Sequence, residues 1–135
     1  MKRLKEILLI DDSRGANALN KRLLGEMDIA NNVSVALNGK LAIDYLLTKN
    51  EKGEIPSPDL IFLDVNMPVM DGYQFLEEFE KLSEEIKSNK VIVMLTTSAS
   101  EIDMENANRF SMVKGYQLKP LTRKNISELI NQNFK

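Results

Sequence analysis

Short runs of continuous apolar residues, each followed at once by polar side chains, constrain the fold of this chain more than any other feature. Three of them cover residues 7–10, 60–63 and 91–95. Runs of this length without alternation are typical of strands that are buried on both faces, as in a parallel sheet. Residues 33–37 and 116–118 are partly alternating or mixed in character, and they predict two edge strands.

Amphipathic helices are predicted between these strands. In four segments apolar residues recur at a spacing of three to four, which places them on one face of a helix. They are Ala16, Leu19, Leu23 and Met27, then Ala42, Tyr45 and Leu46, then Phe75, Leu76, Phe79 and Leu82, and finally Ile126, Leu129, Ile130 and Phe134. The predicted N-caps are Ser13, Asn38, Asp71 and Thr122. Residues 101–110 lack a single apolar stripe and predict a fifth helix with few buried contacts.

Five strands that alternate with five helices predict an α/β fold with a doubly wound parallel sheet in the order 2-1-3-4-5. Its 135 residues suffice for one domain. We expect this domain to span residues 1–135, with a core of about 6–134 and no output domain. Residues 48–59 contain Gly53 and two prolines, and they predict a loop at the edge of the sheet opposite the ligand site.

Composition excludes several classes of function. The chain has no His and no Cys, so it offers neither an imidazole or thiolate metal site nor a Ser-His-Asp or Cys-His catalytic arrangement. A formal net charge of −2 disfavours binding to a nucleic-acid backbone, which needs clustered Lys and Arg. No signal-peptide core and no apolar run of about 18 residues occur, so we expect a cytoplasmic protein without a membrane span.

Polar residues of particular kinds stand where four of the strands end: Asp11 and Asp12, Asp64, Thr96, and Lys119. In a sheet of this order ligands bind outside the carboxyl ends of the strands, near the switch point between the first and third strands. Three carboxylates gathered there would repel one another unless a cation compensates their charge. Magnesium suits such an oxygen site, because it takes one or two carboxylates together with water and phosphate oxygens.

These residues favour phosphoryl transfer. A carboxylate such as Asp64 can act as a nucleophile and form an aspartyl phosphate, with Lys119 supplying positive charge and Thr96 a hydroxyl donor. Taken singly, each residue also has a structural explanation, since the acids and Thr96 can cap helices or form turns and Lys119 can be a solvated loop residue. Their joint occurrence at successive strand ends favours the phosphate site.

With these positions, and with the run Asp-Val-Asn-Met-Pro-Val-Met-Asp-Gly at residues 64–72, the chain resembles the receiver domain of two-component response regulators. This is the chemotaxis-type, flavodoxin-like fold, and the likeness covers nearly the whole chain. The resemblance implies that Asp64 is the phosphoacceptor. It implies a magnesium site with Asp12 as a direct ligand, Asp11 as a ligand through water, and Asp64 and the carbonyl of Asn66 completing the protein ligands.

The resemblance also implies a switch. Thr96 would be its hydroxyl, Tyr116 its aromatic residue, and Lys119, often joined to the following Pro by a cis bond, would sense the phosphoryl group. Thr97 departs from the usual Ala or Gly, and a larger side chain there is expected to narrow access to Asp64. The loop at residues 48–59, together with Thr96-Thr97-Ser98, is similar to stand-alone receivers that partner phytochrome-type kinases.

We therefore expect a signalling protein, with no enzymatic activity beyond its own phosphotransfer and dephosphorylation. It would take a phosphoryl group from a sensor histidine kinase or phosphotransfer protein and contact an unknown downstream protein, with phosphorylation-dependent homodimerisation as an option. The docking surface would comprise residues 101–110, Tyr116 and the last helix. A phosphorelay shuttle or phosphate sink is the alternative.

Two other functions fit the sequence less well. A magnesium-dependent phosphohydrolase with an aspartyl nucleophile would need a second acid where Asn66 stands. A nucleotide-binding α/β module would need a Gly-rich loop after the first strand, and none occurs there.

Overall fold

A computed structural model of the protein describes residues 3–101 and 104–134. Five parallel strands form one sheet in the order β2-β1-β3-β4-β5, with bounds β1 Leu4–Ile10, β2 Ala30–Ala36, β3 Leu60–Asp64, β4 Val91–Thr96 and β5 Val113–Leu118. The α-helices are α1 Arg14–Met27, α2 Gly39–Leu47, α3 Gly72–Glu80, α4 Glu84–Lys87, α5 Met104–Asn108 and α6 Arg123–Asn133. The predicted doubly wound fold and its strand order are confirmed.

Strand register brings the polar strand ends together. Ile10 at the end of β1 lies opposite Leu63, so Asp11 and Asp64 follow at the same level of two neighbouring strands. Asp64 lies opposite Leu95, the residue before Thr96. All five residues of β3 are buried, because its neighbours cover both edges and helices cover both faces. The central position of β3 therefore fixes Asp64 on the most enclosed strand.

Each face of the sheet carries its own hydrophobic core. Leu8 and Ile10 of β1 point to the face that α2, α3 and α5 cover, where the rings of Phe75 and Phe79 stack with their centroids 5.7 Å apart. Ile7 and Leu9 point to the opposite face, which α1 and α6 cover. This alternation along one strand explains why the central strands are continuously apolar in sequence.

The four predicted N-caps are confirmed. Side-chain oxygens of Ser13, Asn38, Asp71 and Thr122 accept hydrogen bonds from backbone amides in the first turns of α1, α2, α3 and α6. At α3 and α6 the third helical residue returns the bond through its side chain and completes a capping box. Local sequence therefore fixes where these helices begin.

The predicted apolar face of α1 is partly wrong. Leu19 is 70% exposed, whereas Asn17 and Leu24 are buried. The amide nitrogen of Asn17 donates a hydrogen bond to the backbone carbonyl of Asp11 at 2.8 Å, and this bond fixes the start of α1 against the end of β1. A buried polar side chain thus takes a core position that the apolar pattern assigned to a different residue.

Other differences concern short elements. Strand β5 begins at Val113, three residues earlier than predicted, and the four-residue α4 was not expected. Within the predicted fifth helix, α5 covers Met104–Asn108, while residues 102 and 103 lie outside the described part of the chain. Ala107 and Phe110 are buried, so this segment is better anchored than its sequence pattern indicated. In the parts of the chain that the structure describes, no helix has the length and apolar character needed to cross a bilayer.

Candidate functional site

Backbone packing at the end of β3 shapes the site. Helix α3 begins at Gly72, whose amide donates to the carbonyl of Val65 at 2.9 Å. A Cβ atom at Gly72 would lie 2.8 Å from the backbone oxygen of Asp64 and 3.0 Å from the Cα of Val65. Because neither backbone atom can yield easily, a residue without a side chain is needed for α3 to start directly against the strand that carries Asp64.

Three carboxylates meet at this edge of the sheet. One oxygen each from Asp11, Asp12 and Asp64 lies within 4.8 Å of the other two. Asp11 and Asp64 are buried, whereas Asp12 is exposed at the mouth of the cleft. One Asp11 oxygen accepts the Ser13 amide at 2.9 Å, which orients the carboxylate. The donor set consists of carboxylate oxygens alone and fits a hard divalent cation.

Lys119 directly follows β5, the edge strand of the sheet, and its side chain reaches the carboxylate cluster. Its ammonium lies 2.7 Å from Oδ2 of Asp11 and 3.2 Å from Oδ1 of Asp64. Its backbone amide donates to the carbonyl of Thr96 at 2.8 Å, and the peptide bond to Pro120 is cis, as the family resemblance implied. Burial alone would lower the pKa of Lys119, but its bonds with Asp11 and Asp64 outweigh that effect and raise it.

Asp64 has a perturbed acidity. Burial, and then the charge of Asp11, raise its pKa from 3.8 to about 6, although Lys119 and the backbone amide of Asn66 act in the opposite direction. A carboxyl group with this pKa is largely ionised at neutral pH and can act as a nucleophile.

Thr96 is buried at the end of β4 with its hydroxyl directed along the following loop. Its Oγ1 donates to the carbonyl of Ser98 at 2.9 Å and accepts the Ser98 amide at 3.2 Å. Thr97, between them, is exposed. The expected effect of Thr97 on access to Asp64 therefore stays a prediction.

Tyr116 joins β5 to α5. Its hydroxyl lies 3.5 Å from Oδ1 of Asn108, and its ring packs against the core on the α3 and α5 face. Burial, followed by the charge of Tyr73, raises the pKa of Tyr116. The side chain is therefore a direct contact between the strand that leads to Lys119 and helix α5, which lies in the expected docking surface.

The geometry can be compared with known proteins. A family model described as the response regulator receiver domain matches residues 7–131. The chain belongs to the response regulator receiver family. Receiver domains are signalling domains that accept phosphoryl groups from kinases.

Curated relatives agree with this assignment. The receiver is 35% identical over 100 residues to the response regulator Rcp1 of Synechocystis, a match that covers 74% of this chain and 67% of that protein. It is 29% identical over 126 residues to the probable methanogenesis regulatory protein FilR2 of Methanothrix harundinacea, covering 93% of this chain and 79% of that one. The same module matches only 24% of a protein-glutamate methylesterase from Desulfotalea psychrophila, so related domains also occur within longer proteins.

Solved structures show the same fold. A two-component response regulator from Cytophaga hutchinsonii superposes with a TM-score of 0.83 at 26% identity, covering 97% of both chains. The bacteriophytochrome response regulator AtBRR superposes with a TM-score of 0.79 at 27% identity, covering 97% of the receiver and 93% of that chain. The receiver is thus similar in structure, over nearly all of its length, to solved chains described as response regulators.

The structure brings together Asp11, Asp12, Asp64 and Lys119 as the strand ends predicted, while the side chain of Asn66 is exposed. Their assigned roles stay predictions.

Sequence reasoning missed two residues beside the site. Oδ1 of Asn17 is the buried side-chain atom without a hydrogen-bond partner among the described residues. Val69 adopts a φ of 70° in a γ-turn, in which the Met70 amide donates to the carbonyl of Pro68 at 2.7 Å. A polar residue among helical core positions could have indicated Asn17, whereas no sequence signal indicated that Val69 is strained.

Proposed function

We propose that the receiver takes a phosphoryl group from a histidine of a sensor kinase or phosphotransfer protein onto Asp64, in a magnesium-dependent reaction. The observation that supports this most is the position of Asp64 within the three-carboxylate cluster, 3.2 Å from the ammonium of Lys119. A nucleophile, a cation and further oxygen ligands thus meet at one strand edge.

In the proposed step an oxygen of Asp64 attacks phosphorus, the bond between phosphorus and the donor's histidine nitrogen breaks, and the imidazole leaves with the electron pair. Asp11, Asp12, Asp64 and the carbonyl of Asn66 are the groups that would hold magnesium. When bound, the ion neutralises the carboxylates and the charge on the phosphoryl oxygens. Lys119 adds a second positive charge beside the nucleophile, so donor and acceptor approach with less repulsion.

Signalling would follow from a change in what Lys119 and Thr96 contact. In the described state Lys119 is shared by two carboxylates and the Thr96 hydroxyl bonds to Ser98. A phosphoryl group adds about two negative charges and three acceptor oxygens, which attract both donors. Rotation of Thr96 toward Asp64 would free space above β5 for Tyr116, whose bond to Asn108 links it to α5.

A shuttle or phosphate sink would use the same chemistry without this movement. The contact between Tyr116 and α5 favours the switch, because it gives the strand end a direct connection to an outer surface. Similarity to the bacteriophytochrome response regulator AtBRR supports a kinase partner of the phytochrome type.

Phosphorylation is tested by incubating the protein with acetyl phosphate or phosphoramidate and magnesium, followed by intact-mass measurement. We expect one added phosphate, none for Asp64→Asn or in EDTA, and normal labelling of Asp44→Asn, an exposed acid of α2. Unchanged labelling of Asp64→Asn would refute the assignment of the phosphoacceptor.

The switch is tested separately by an NMR titration with beryllofluoride, which takes the place of the phosphoryl group. We expect shifts at Tyr116 and in residues 104–110 as well as at the carboxylates. Shifts confined to Asp11, Asp12, Asp64 and their neighbours would favour the phosphate sink.

A further inference from the structure

A groove at the amino end of the sheet is cationic, in contrast to the acidic carboxyl end. It has a volume of about 660 Å³ and lies where β1 and β4 begin. Arg3, Lys5, Lys90 and Lys114 line it, against the acids Asp59 and Glu85. The groove is therefore positive in a chain whose formal net charge is −2.

Lys90 is the unusual member of this groove. The residue is only 7% exposed, and its ammonium forms no hydrogen bond or ion pair with the part of the chain that the structure describes. Its Nζ is not among the fully buried side-chain atoms that lack a partner, so the aliphatic part of the side chain is buried while the ammonium reaches the solvent of the groove. Burial lowers the pKa of Lys90, although the charges of Asp59 and Glu6 act in the opposite direction.

The two acids that act on Lys90 already have other partners. Oδ2 of Asp59 accepts the backbone amide of Lys5 at 2.6 Å. Oε2 of Glu6 accepts the hydroxyl of Ser34 at 2.6 Å and that of Tyr45. Neither carboxylate forms an ion pair with Lys90 among the described residues, so the ammonium remains available to a ligand.

Lys5 and Lys114 extend the positive charge along the groove. Both are exposed and neither has an ion-pair partner among the described residues, unlike Arg3, whose guanidinium bonds to Asp28 at 3.0 Å. Lys114 and Lys90 also border a neighbouring recess of about 310 Å³. Lysines act as point charges without a preferred plane, which suits the several oxygens of phosphate groups.

We propose that this groove binds a small polyanion with a chain of phosphate groups, held by Lys90 together with Lys5 and Lys114. The volume admits a ligand as large as a nucleoside triphosphate, and the separated lysines match charge spread over several phosphates. Because the groove lies at the end of the strands away from Asp64, binding is independent of phosphorylation.

Isothermal titration calorimetry of the full chain in EDTA tests this site with inorganic tripolyphosphate. We expect one saturable site whose affinity falls at least about tenfold in Lys90→Met, because this change removes the charge-assisted contacts of the ammonium with phosphate oxygens. Lys114→Met should weaken binding less. Lys52→Met removes an exposed lysine that is not among those lining the groove and should leave the affinity unchanged.

Two further titrations complete this test. Replacing tripolyphosphate with ATP shows whether the base adds affinity, and either probe binding through Lys90 supports the site. Asp64→Asn should bind tripolyphosphate with the affinity of the wild type, because Asp64 lies at the opposite end of the strands. This inference can therefore hold even if Asp64 is not the phosphoacceptor. The absence of saturable binding, or equal loss in Lys90→Met and Lys52→Met, would overturn it.

Discussion

Replacing Asp64 with Asn is expected to stabilise the metal-free receiver at neutral pH, although it removes the proposed phosphoacceptor. The side chain is buried beside Asp11, and its pKa of about 6 shows that the folded protein disfavours its ionised form. An amide of the same shape fills the same space without that charge. The native state should therefore gain free energy relative to the unfolded chain.

The size of this gain follows from the two pKa values. The unfolded chain loses the proton near pH 3.8, whereas native Asp64 keeps it to about pH 6, so stability falls as the pH rises through this window. Each pKa unit corresponds to about 1.4 kcal/mol, which gives about 3 kcal/mol above pH 6. The attraction of the carboxylate to Lys119 is already contained in the pKa of about 6, so we expect a gain of up to about 3 kcal/mol at pH 7.5.

Urea denaturation in EDTA, followed by far-UV circular dichroism between pH 4 and pH 8, measures this gain. The difference between Asp64→Asn and the wild type should shrink as the pH is lowered toward 4. Asp44→Asn is the control, because Asp44 is exposed and its pair with Lys40 is worth less than about 1 kcal/mol. A difference that is absent at pH 7.5, or is the same at every pH, would refute the reasoning.

Three more changes test other parts of the structure. In a thermal melt, magnesium should raise the Tm of the wild type and not that of Asp12→Ala, because a ligand stabilises a folded protein only if the folded protein binds it. Equal increases in Tm for the two proteins would place the ion elsewhere. Val69→Gly should stabilise by about 1 kcal/mol in urea, since Val69 is 76% exposed and Gly adopts a positive φ without a Cβ clash. Asp71→Ala should cost about 1 kcal/mol by the same measurement, because it removes the capping box with Gln74; no loss would show that packing alone fixes the start of α3.

The central strands could be predicted from sequence because burial on both faces of the sheet requires apolar residues at every position. A residue such as Leu8 or Leu9 must be apolar whichever face it points to, so the strand is a continuous apolar run. Capping side chains such as Ser13 are equally local, since donor and acceptor are three residues apart. Once the strands were assigned, the sequence alone showed which polar residues stand at the strand ends.

Contacts between different elements of the fold are harder to predict from the sequence. The side-chain amide of Asn17 is buried because it donates a hydrogen bond to the carbonyl of Asp11, six residues earlier. The buried face of α1 therefore differs from the predicted apolar face. The first half of β5 was not predicted, because this half-buried edge strand carries polar side chains such as Lys114. The four residues of α4 are too few to show a helical period.

The order of elements, the central strands and the residues at the carboxyl edge of the sheet all follow from patterns along the chain. The folded structure was needed to see that Lys119 is shared between Asp11 and Asp64, and that burial, followed by the charge of Asp11, raises the pKa of Asp64 to about 6. The packing of distant segments also places the largely buried Lys90 in a groove lined by three other basic residues. The physical reason is that strand patterns depend on neighbours in the chain, whereas charge interactions depend on distances and desolvation that arise only when distant segments pack together.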